Sequence, residues 1–262
     1  MMGRAAAEAA FPGEPVRFEA TPVPGLPGAE VEWSGGGTPA RGRGARFTTV
    51  FDAGGAYTVT ARSKEASLTF PVTVCPVDAW LSEARAFFGP SIDLDRVVVK
   101  TSRFVLGRVG TAWTCNRVIR FTRVRRTTDL PDQATLVHEL GHVWEHQTGQ
   151  AQLIGGIVEQ IGRWVGRRDP YDYGGPAGLR AAPTLTGLSK EGQAQVIAEL
   201  WKAEHGRPVD RLGVPFATPG YVEDLRRLVG DAGIGHHRVV RAGTVGGIDR
   251  ALAWIVNALL GV

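Results

Sequence analysis

The sequence predicts an α+β chain: an all-β sandwich over residues 11–75, then a mainly helical domain with a small sheet over residues 76–262. Two observations lead to this prediction. Short stretches that alternate apolar and polar residues, separated by glycine- and proline-rich turns, occupy the first region. In the second region apolar residues recur mainly at helical spacing. With 262 residues, 43% of them hydrophobic, the chain is long enough for two hydrophobic cores.

The N-terminal stretch, residues 1–10, is rich in alanine, contains Glu8 and lacks a run of large apolar residues. We therefore predict that it is disordered and that it is not a signal peptide, which needs an apolar central region. The last apolar run of the chain is short and carries Asp249 and Arg250, so it is not a membrane span. We expect a soluble protein without membrane association, either cytoplasmic or exported by a non-classical route.

The sandwich is predicted from strands whose alternate residues are apolar. In "VRFEA" Val16, Phe18 and Ala20 fall on one face of the strand, which indicates a sheet with one buried side. The strand around Trp33 and the "GGAYTVTA" strand, residues 54–61, resemble those of bacterial immunoglobulin-like domains of the PKD kind. This resemblance implies an immunoglobulin-like sandwich, and it implies little about function because such modules serve many purposes.

The second domain is predicted to begin near Pro76, where the pattern changes to helical spacing. The segment "DAWLSEARAFFG" has an acidic start, apolar residues at helical intervals and a glycine at its end. Two strand candidates follow, "DRVVVKT" and "NRVIRFTRV". The later helices are predicted at about 131–148, 150–166, 190–204, 220–229 and 247–260.

The segment "LVHELGHVWEHQTG", residues 136–149, places three histidines at intervals of four. Residues four apart lie about 40° apart around a helix and one turn apart along it, so His138 and His142 can both reach one ion. Glu139 lies beside that position and can accept the proton of an attacking water. This is the H-E-x-x-H arrangement of zinc hydrolases. The alternative is an ordinary helix with a solvated histidine and glutamate face.

His146 extends the same stripe by a further turn. Three histidines on one straight helix cannot surround an ion at bond lengths of about 2.0–2.1 Å, so we expect His146 outside the ligand set. The metzincin pattern, with its later glycine and third histidine, is excluded because Glu145 and Thr148 occupy those places. A third ligand must therefore come from another element. Gly141 costs about 1 kcal/mol against alanine inside a helix, which predicts a close approach by that element.

The helix predicted from "LSKEGQAQVIAELWKAEHG" offers the third ligand. Ser189 is a suitable N-cap, and Glu191 lies in the first turn on the same face as Gln195 and Glu199. With Glu191 as the ligand, Gln195 is expected to orient a ligand by a hydrogen bond. Glu199 is a competing ligand. The alternative to both is an amphipathic helix that only contributes to the core.

The motifs "TLVHELGHVWEHQTG", "DPYDYGG" and "LSKEGQAQVIAELW" resemble the bacterial zincin-like metallopeptidases found in Rhs-, polymorphic-toxin- and injection-system-associated proteins. The resemblance covers about residues 92–205 and implies a gluzincin-type zinc metalloendopeptidase of the HExxH…E kind. It implies Zn²⁺ as the cofactor, His138, His142 and Glu191 as its ligands, and Glu139 as the catalytic glutamate. It also implies a protein or peptide substrate and a secretion- or injection-system partner.

Two further requirements of peptide hydrolysis have candidates. A donor for the developing oxyanion is expected from Tyr173 or His237, with Tyr171 and His236 as alternatives. The competing explanation, which holds more often for such residues, is ring packing for a tyrosine and a surface turn for the histidine pair. A strand at residues 114–124 is expected at a sheet edge, where an extended substrate can add to it. Its arginines, Arg117, Arg120 and Arg123, are expected to favour acidic substrate side chains or, alternatively, to protect the edge from aggregation.

The function predicted from the sequence is therefore zinc-dependent hydrolysis of peptide bonds. The first alternative is a non-catalytic zinc-binding accessory protein of a secretion or injection system, against which the presence of Glu139 argues. The second is a toxin or effector with the same chemistry and a host protein as its substrate. Nucleic-acid binding is not expected: the net charge is +4, and no reader motif accompanies the arginines.

Overall fold

A computed structural model of the chain describes residues 2–5, 7–21, 31–64, 66–102, 112–150 and 171–235. The fold is mixed α and β, which confirms the predicted class at this coarse level. Five α-helices and eleven strands lie in the part of the chain that the structure describes. The predicted helices at 150–166 and 247–260 lie outside it.

The chain forms two compact units. One comprises Met1–Leu81, Thr101–Thr111 and Phe121–Pro131, and the other Ser82–Lys100, Ala112–Arg120 and Asp132–Val262. The division near residue 81 lies close to the predicted boundary at Pro76. The sequence pattern did not predict that later segments of the chain belong to the first unit.

The described residues of the first unit up to Val74 form two sheets. One has the order β1-β3-β6 and is antiparallel; the other has the order β2-β8-β7-β4-β5, in which only β2 and β8 are parallel. The strands are β1 (Met2–Ala5), β2 (Ala9–Ala10), β3 (Pro15–Thr21), β4 (Glu32–Ser34), β5 (Arg41–Arg43), β6 (Arg46–Val50), β7 (Gly55–Arg62) and β8 (Ser67–Val74). The structure thus differs from the disordered N-terminus predicted for residues 1–10, because β1 pairs with β3 and β2 pairs with β8.

The apolar face predicted for β3 forms part of the core of this unit. Val16, Phe18 and Ala20 are buried while the residues between them are exposed. Trp33 of β4 is buried beside them, and its indole N–H donates a 2.7 Å hydrogen bond to the carbonyl of Gly44. Each large apolar side chain buried in this way stabilises the fold by about 1.5–3 kcal/mol.

The helices are α1 (Val77–Phe88), α2 (Gln133–Gln147), α3 (Gly175–Ala181), α4 (Lys190–Glu204) and α5 (Tyr221–Asp231). All but α3 agree with the predicted segments to within about two residues. Helix α3 has only seven residues, too few for a periodic apolar pattern to reveal it. No helix among the described residues is long and apolar enough to cross a membrane.

A third sheet contains β9 (Val98–Ser102), β10 (Ala112–Cys115) and β11 (Val118–Thr122), in the order β10-β11-β9. Within the described residues β10 therefore lies at an edge and β11 at the centre. The single edge strand predicted at 114–124 is divided between these two strands. Its first two residues belong to β10 and do lie at an edge, but the part that forms β11 lies at the centre of the sheet. Cys75 and Cys115 are both buried free thiols.

Candidate metal centre

Helix α2 carries the two histidines of the motif on one face. Its N-cap is Asp132, whose Oδ1 accepts a 2.9 Å hydrogen bond from the backbone N–H of Thr135. His138 and His142 are one turn apart, and their ring centroids are 5.0 Å apart. Both rings are thereby fixed on the side of the helix that packs against α4.

Helix α4 brings Glu191 to this face. Ser189 Oγ caps the helix by accepting a 3.0 Å hydrogen bond from the backbone N–H of Gly192, which places Glu191 in the first turn. The two helices approach closely at Gly141, where a Cβ atom would lie 2.9 Å from Ala194 Cα. The close approach expected from this glycine is therefore present, and α4 is the element that makes it.

Three donor atoms converge between the helices. His138 Nε2 lies 3.1 Å and His142 Nε2 lies 3.4 Å from Glu191 Oε2, and the ligand atoms of the three residues are all within 4.8 Å of one another. Ligands around a tetrahedral Zn²⁺ at about 2.0–2.1 Å are separated by about 3.4 Å. The two distances to Glu191 Oε2 are close to this separation, so the two imidazole nitrogens and the carboxylate oxygen are a candidate ligand set for a divalent cation.

The charges within the cluster are coupled. Burial disfavours the ionised form of Glu191, but the hydrogen bonds from His138 and His142 outweigh it and hold the carboxyl pKa well below its usual range. Burial also opposes a charge on His142, and the hydrogen bonds to Glu145 and Glu191 overcome it and raise the His142 pKa well above the ordinary value. An ionised Glu191 is the form that a cation requires.

Glu145 contacts the far side of the His142 ring. Its Oε2 lies 3.1 Å from His142 Nδ1, while Nε2 of the same ring faces Glu191. Glu145 is fully buried. A carboxylate on the second nitrogen of a ligand histidine is a common feature of metal sites, where it fixes the ring orientation and the tautomer.

Glu139 lies beside the cluster and is held by strand β10. Thr114 Oγ1 donates a 2.7 Å hydrogen bond to Glu139 Oε2. Burial raises the pKa of the Glu139 carboxyl, and the neighbouring charges of His142 and His138 and the hydrogen bond from Thr114 act in the opposite direction. The carboxylate is thus fixed in place next to the three donors without belonging to them.

The two candidate tyrosines occupy different surroundings. The Tyr171 ring centroid is 5.6 Å from that of His138, and the guanidinium carbon of Arg211 lies 4.3 Å from the Tyr171 centroid. Tyr173 is buried, and its hydroxyl donates a 3.3 Å hydrogen bond to Asp210 Oδ2 and contacts the hydroxyl of Tyr221. Burial raises the Tyr173 pKa. Of the two tyrosines, Tyr171 is the one in contact with a histidine of the cluster.

Glu199 and Gln195, further along α4, have partners outside the cluster. Glu199, the competing ligand, is fully buried and accepts hydrogen bonds from Lys202 Nζ at 3.2 Å and from the backbone N–H of Arg211 at 3.0 Å. Gln195, expected to orient a ligand, donates its hydrogen bond to Glu199. The cluster includes neither of these side chains, nor His146.

Comparison with known proteins assigns no function to this arrangement. No protein-family model, no curated protein and no solved structure matches the chain. What the cluster can do chemically therefore has to follow from its own donor atoms and their surroundings.

Sequence reasoning assigned no role to two residues of the site: Glu145, which contacts His142, and Thr114, which contacts Glu139. Glu145 could have been found from its spacing, because a residue three positions after His142 lies on the same helical face. Thr114 left no comparable signal, because its contact with Glu139 depends on how β10 packs against α2. His237, a candidate for the oxyanion donor, lies outside the described residues.

Two of the three arginines predicted to face a substrate, Arg120 and Arg123, have other partners. Arg120 is buried, with its guanidinium carbon 5.1 Å from the centroid of the Trp113 ring. Arg123 pairs with Glu14 at 2.9 Å in the first unit. The expectation that these two side chains recognise acidic substrates has no geometric support, because each is engaged within its own unit.

Proposed function

We propose that the chain is a zinc-dependent metallopeptidase in which His138, His142 and Glu191 hold the metal and Glu139 is the general base. The observation that carries this proposal is the convergence of two imidazole Nε2 atoms on Glu191 Oε2, next to a buried glutamate that is not a ligand. A bound zinc ion would acidify a water molecule and polarise a peptide carbonyl. A surface cluster of chance origin would not need the additional buried carboxylate.

Glu139 moves the proton in this proposal. Its carboxylate accepts a proton from the attacking water and delivers it to the leaving nitrogen of the peptide. The hydrogen bond from Thr114 occupies Oε2 and restricts rotation of the carboxylate, so Oε1 is the atom that handles the proton. Thr114 therefore positions the base.

Tyr171 and strand β10 are the candidates for the oxyanion donor and for the strand that binds the substrate. The Tyr171 ring packs on His138, so its hydroxyl is the better candidate to donate a hydrogen bond to the oxyanion than that of Tyr173, which is engaged with Asp210. Strand β10 carries Thr114, and its free edge within the described residues can pair with an extended peptide. The substrate class is accordingly an extended protein or peptide segment.

The finer architecture belongs to the same proposal. The second unit is a zincin-like catalytic domain, and the two sheets of the first unit form an immunoglobulin-like module of the PKD kind. Such a module serves as a spacer or as a binder of the substrate or of a secretion-system partner. The metal centre lies within the second unit, so its chemistry does not require the module.

The test compares zinc content and hydrolysis of casein or a peptide for the wild type, Glu139→Gln and His142→Ala. We expect Glu139→Gln to keep about one zinc per chain and to lose about 10²- to 10⁴-fold in turnover, the contribution typical of a general base. His142→Ala should lose both zinc and activity. Glu223→Gln, the same substitution at an exposed position of α5, is the matched control and should resemble the wild type. Turnover that survives Glu139→Gln would contradict the proposal.

A further inference from the structure

Glu145, in the last part of helix α2, has a fully buried side chain at a position where an apolar residue would be expected. A buried carboxylate without a partner is strongly destabilising, so proteins pair such groups or keep them neutral. Glu145 Oε2 lies 3.1 Å from His142 Nδ1, and Oε1 has no hydrogen-bond partner among the described residues. The contact with His142 is therefore the interaction in the described structure that accounts for this carboxylate.

The contact is built into the local sequence. Glu145 follows His142 by three positions, so both lie on one face of α2 regardless of how other elements pack. The two nitrogens of the His142 ring then have separate partners: Nδ1 faces Glu145 and Nε2 faces Glu191. A carboxylate that accepts a hydrogen bond from Nδ1 keeps the proton on that nitrogen and leaves the lone pair of Nε2 for a metal ion.

We propose that Glu145 is a positioning residue that fixes the tautomer and orientation of His142 and thereby tightens metal binding. This inference rests on the metal centre of the proposed function. Gln195, which the sequence pattern favours for an orienting role, donates instead to Glu199. The orienting carboxylate thus comes from the histidine helix itself, three residues beyond the H-E-x-x-H motif.

The first test measures the affinity of the full chain for Zn²⁺ by competition with a chromophoric chelator. Loss of such an orienting partner lowers metal affinity by about 10- to 100-fold. We expect a decrease in this range for Glu145→Gln, which removes the charge, and a larger one for Glu145→Leu, which also removes the hydrogen bond. Glu199→Gln is the matched control, because Glu199 is equally buried and accepts its hydrogen bonds from Gln195, Lys202 and the backbone N–H of Arg211, none of which belongs to the cluster.

The second test observes the histidine ring directly. In proton–nitrogen correlation spectra of the zinc-loaded protein, we expect a protected Nδ1–H resonance of His142 in the wild type and in Glu199→Gln. This resonance should be lost in Glu145→Leu, a change that a loss of packing alone would not produce. If Glu145→Leu does not fold, the zinc affinity of Glu145→Gln and its His142 Nδ1–H resonance serve as the test of the positioning role.

The outcomes separate the two proposals. If Glu145→Gln binds zinc as tightly as Glu199→Gln and keeps the wild-type resonance, the positioning role is refuted while the peptidase proposal stands. If the wild type binds zinc and Glu145→Gln binds it weakly, but Glu139→Gln retains turnover, the positioning role holds and the peptidase proposal fails. If the wild type binds no zinc, both are refuted.

Discussion

At the scale of single residues, the candidate site is defined by buried carboxylates with distinct partners. Glu191 faces the Nε2 atoms of both histidines, Glu145 faces the Nδ1 atom of one, and Glu139 is held by the hydroxyl of Thr114. Ionised groups are rarely buried unless another group stabilises them. The convergence of both Nε2 atoms on Glu191, rather than burial alone, is what the proposed cation site rests on, because the equally buried Glu199 is paired with Lys202 outside the cluster.

Burial also governs the ionisation of Cys75, far from the cluster in sequence. Burial raises the pKa of the Cys75 thiol from about 9.0 to about 12. The neutral thiol is therefore favoured in the folded state, and its contribution to stability is present below pH 9. It is lost as the pH rises from about 9 to about 12, where the unfolded chain ionises first.

We expect the free energy of unfolding to fall more steeply with pH in this range for the wild type than for Cys75→Ala. The comparison uses urea titrations at several alkaline pH values, and subtraction of the variant removes the contribution of the tyrosines and lysines. Native Cys75 should also react with a thiol reagent only after unfolding. Parallel pH profiles for the two proteins would show that this thiol ionises without opening the fold.

At the scale of elements, the sequence predicted those parts of the site that are local in the chain. The spacing of His138 and His142 fixed their common face, and the cap at Ser189 fixed the start of α4 and hence the place of Glu191 in its first turn. The contact between Glu139 and Thr114 was not predictable, because it depends on strand packing. The sequence also could not distinguish Tyr171 from Tyr173 as the oxyanion donor. The two tyrosines are only two positions apart, and it is their tertiary contacts, with His138 and with Asp210, that differ.

Gly141 provides an element-scale prediction, because it sets the spacing of α2 and α4. Alanine would favour the helix by about 1 kcal/mol, but its Cβ would lie 2.9 Å from Ala194 Cα, and the helices would have to separate. We expect Gly141→Ala to be destabilising and to weaken zinc binding, since Glu191 moves with α4. Thermal unfolding and chelator competition measure the two effects.

Gly230 near the end of α5 is the control for helix propensity. A Cβ atom there would meet nothing within 4 Å, so Gly230→Ala should stabilise the protein by up to about 1 kcal/mol and leave zinc affinity unchanged. If Gly141→Ala were stabilising to the same extent, the close approach of the two helices would have no role in forming the cluster.

At the scale of the whole molecule, the two compact units differ in their relation to the proposed metal centre. Every residue of the cluster, together with Glu139, Glu145 and Thr114, belongs to the second unit. A ligand that binds the folded form stabilises it by about 2.7 kcal/mol when its free concentration is 100 times its Kd. Proteins unfold locally in partly independent cooperative regions. The ligand therefore stabilises only those regions whose local unfolding would disrupt the binding site.

We therefore expect zinc to protect the two units unequally in hydrogen exchange. After addition of zinc to chelator-treated protein, the amides of α2 and α4 should exchange at least tenfold more slowly, while those of β7 and β8 in the first unit should keep their rates. The His142→Ala variant should show no zinc-dependent protection in either region, which controls for zinc bound elsewhere. Equal protection in both units would mean that they open together, so that the metal centre stabilises the entire chain.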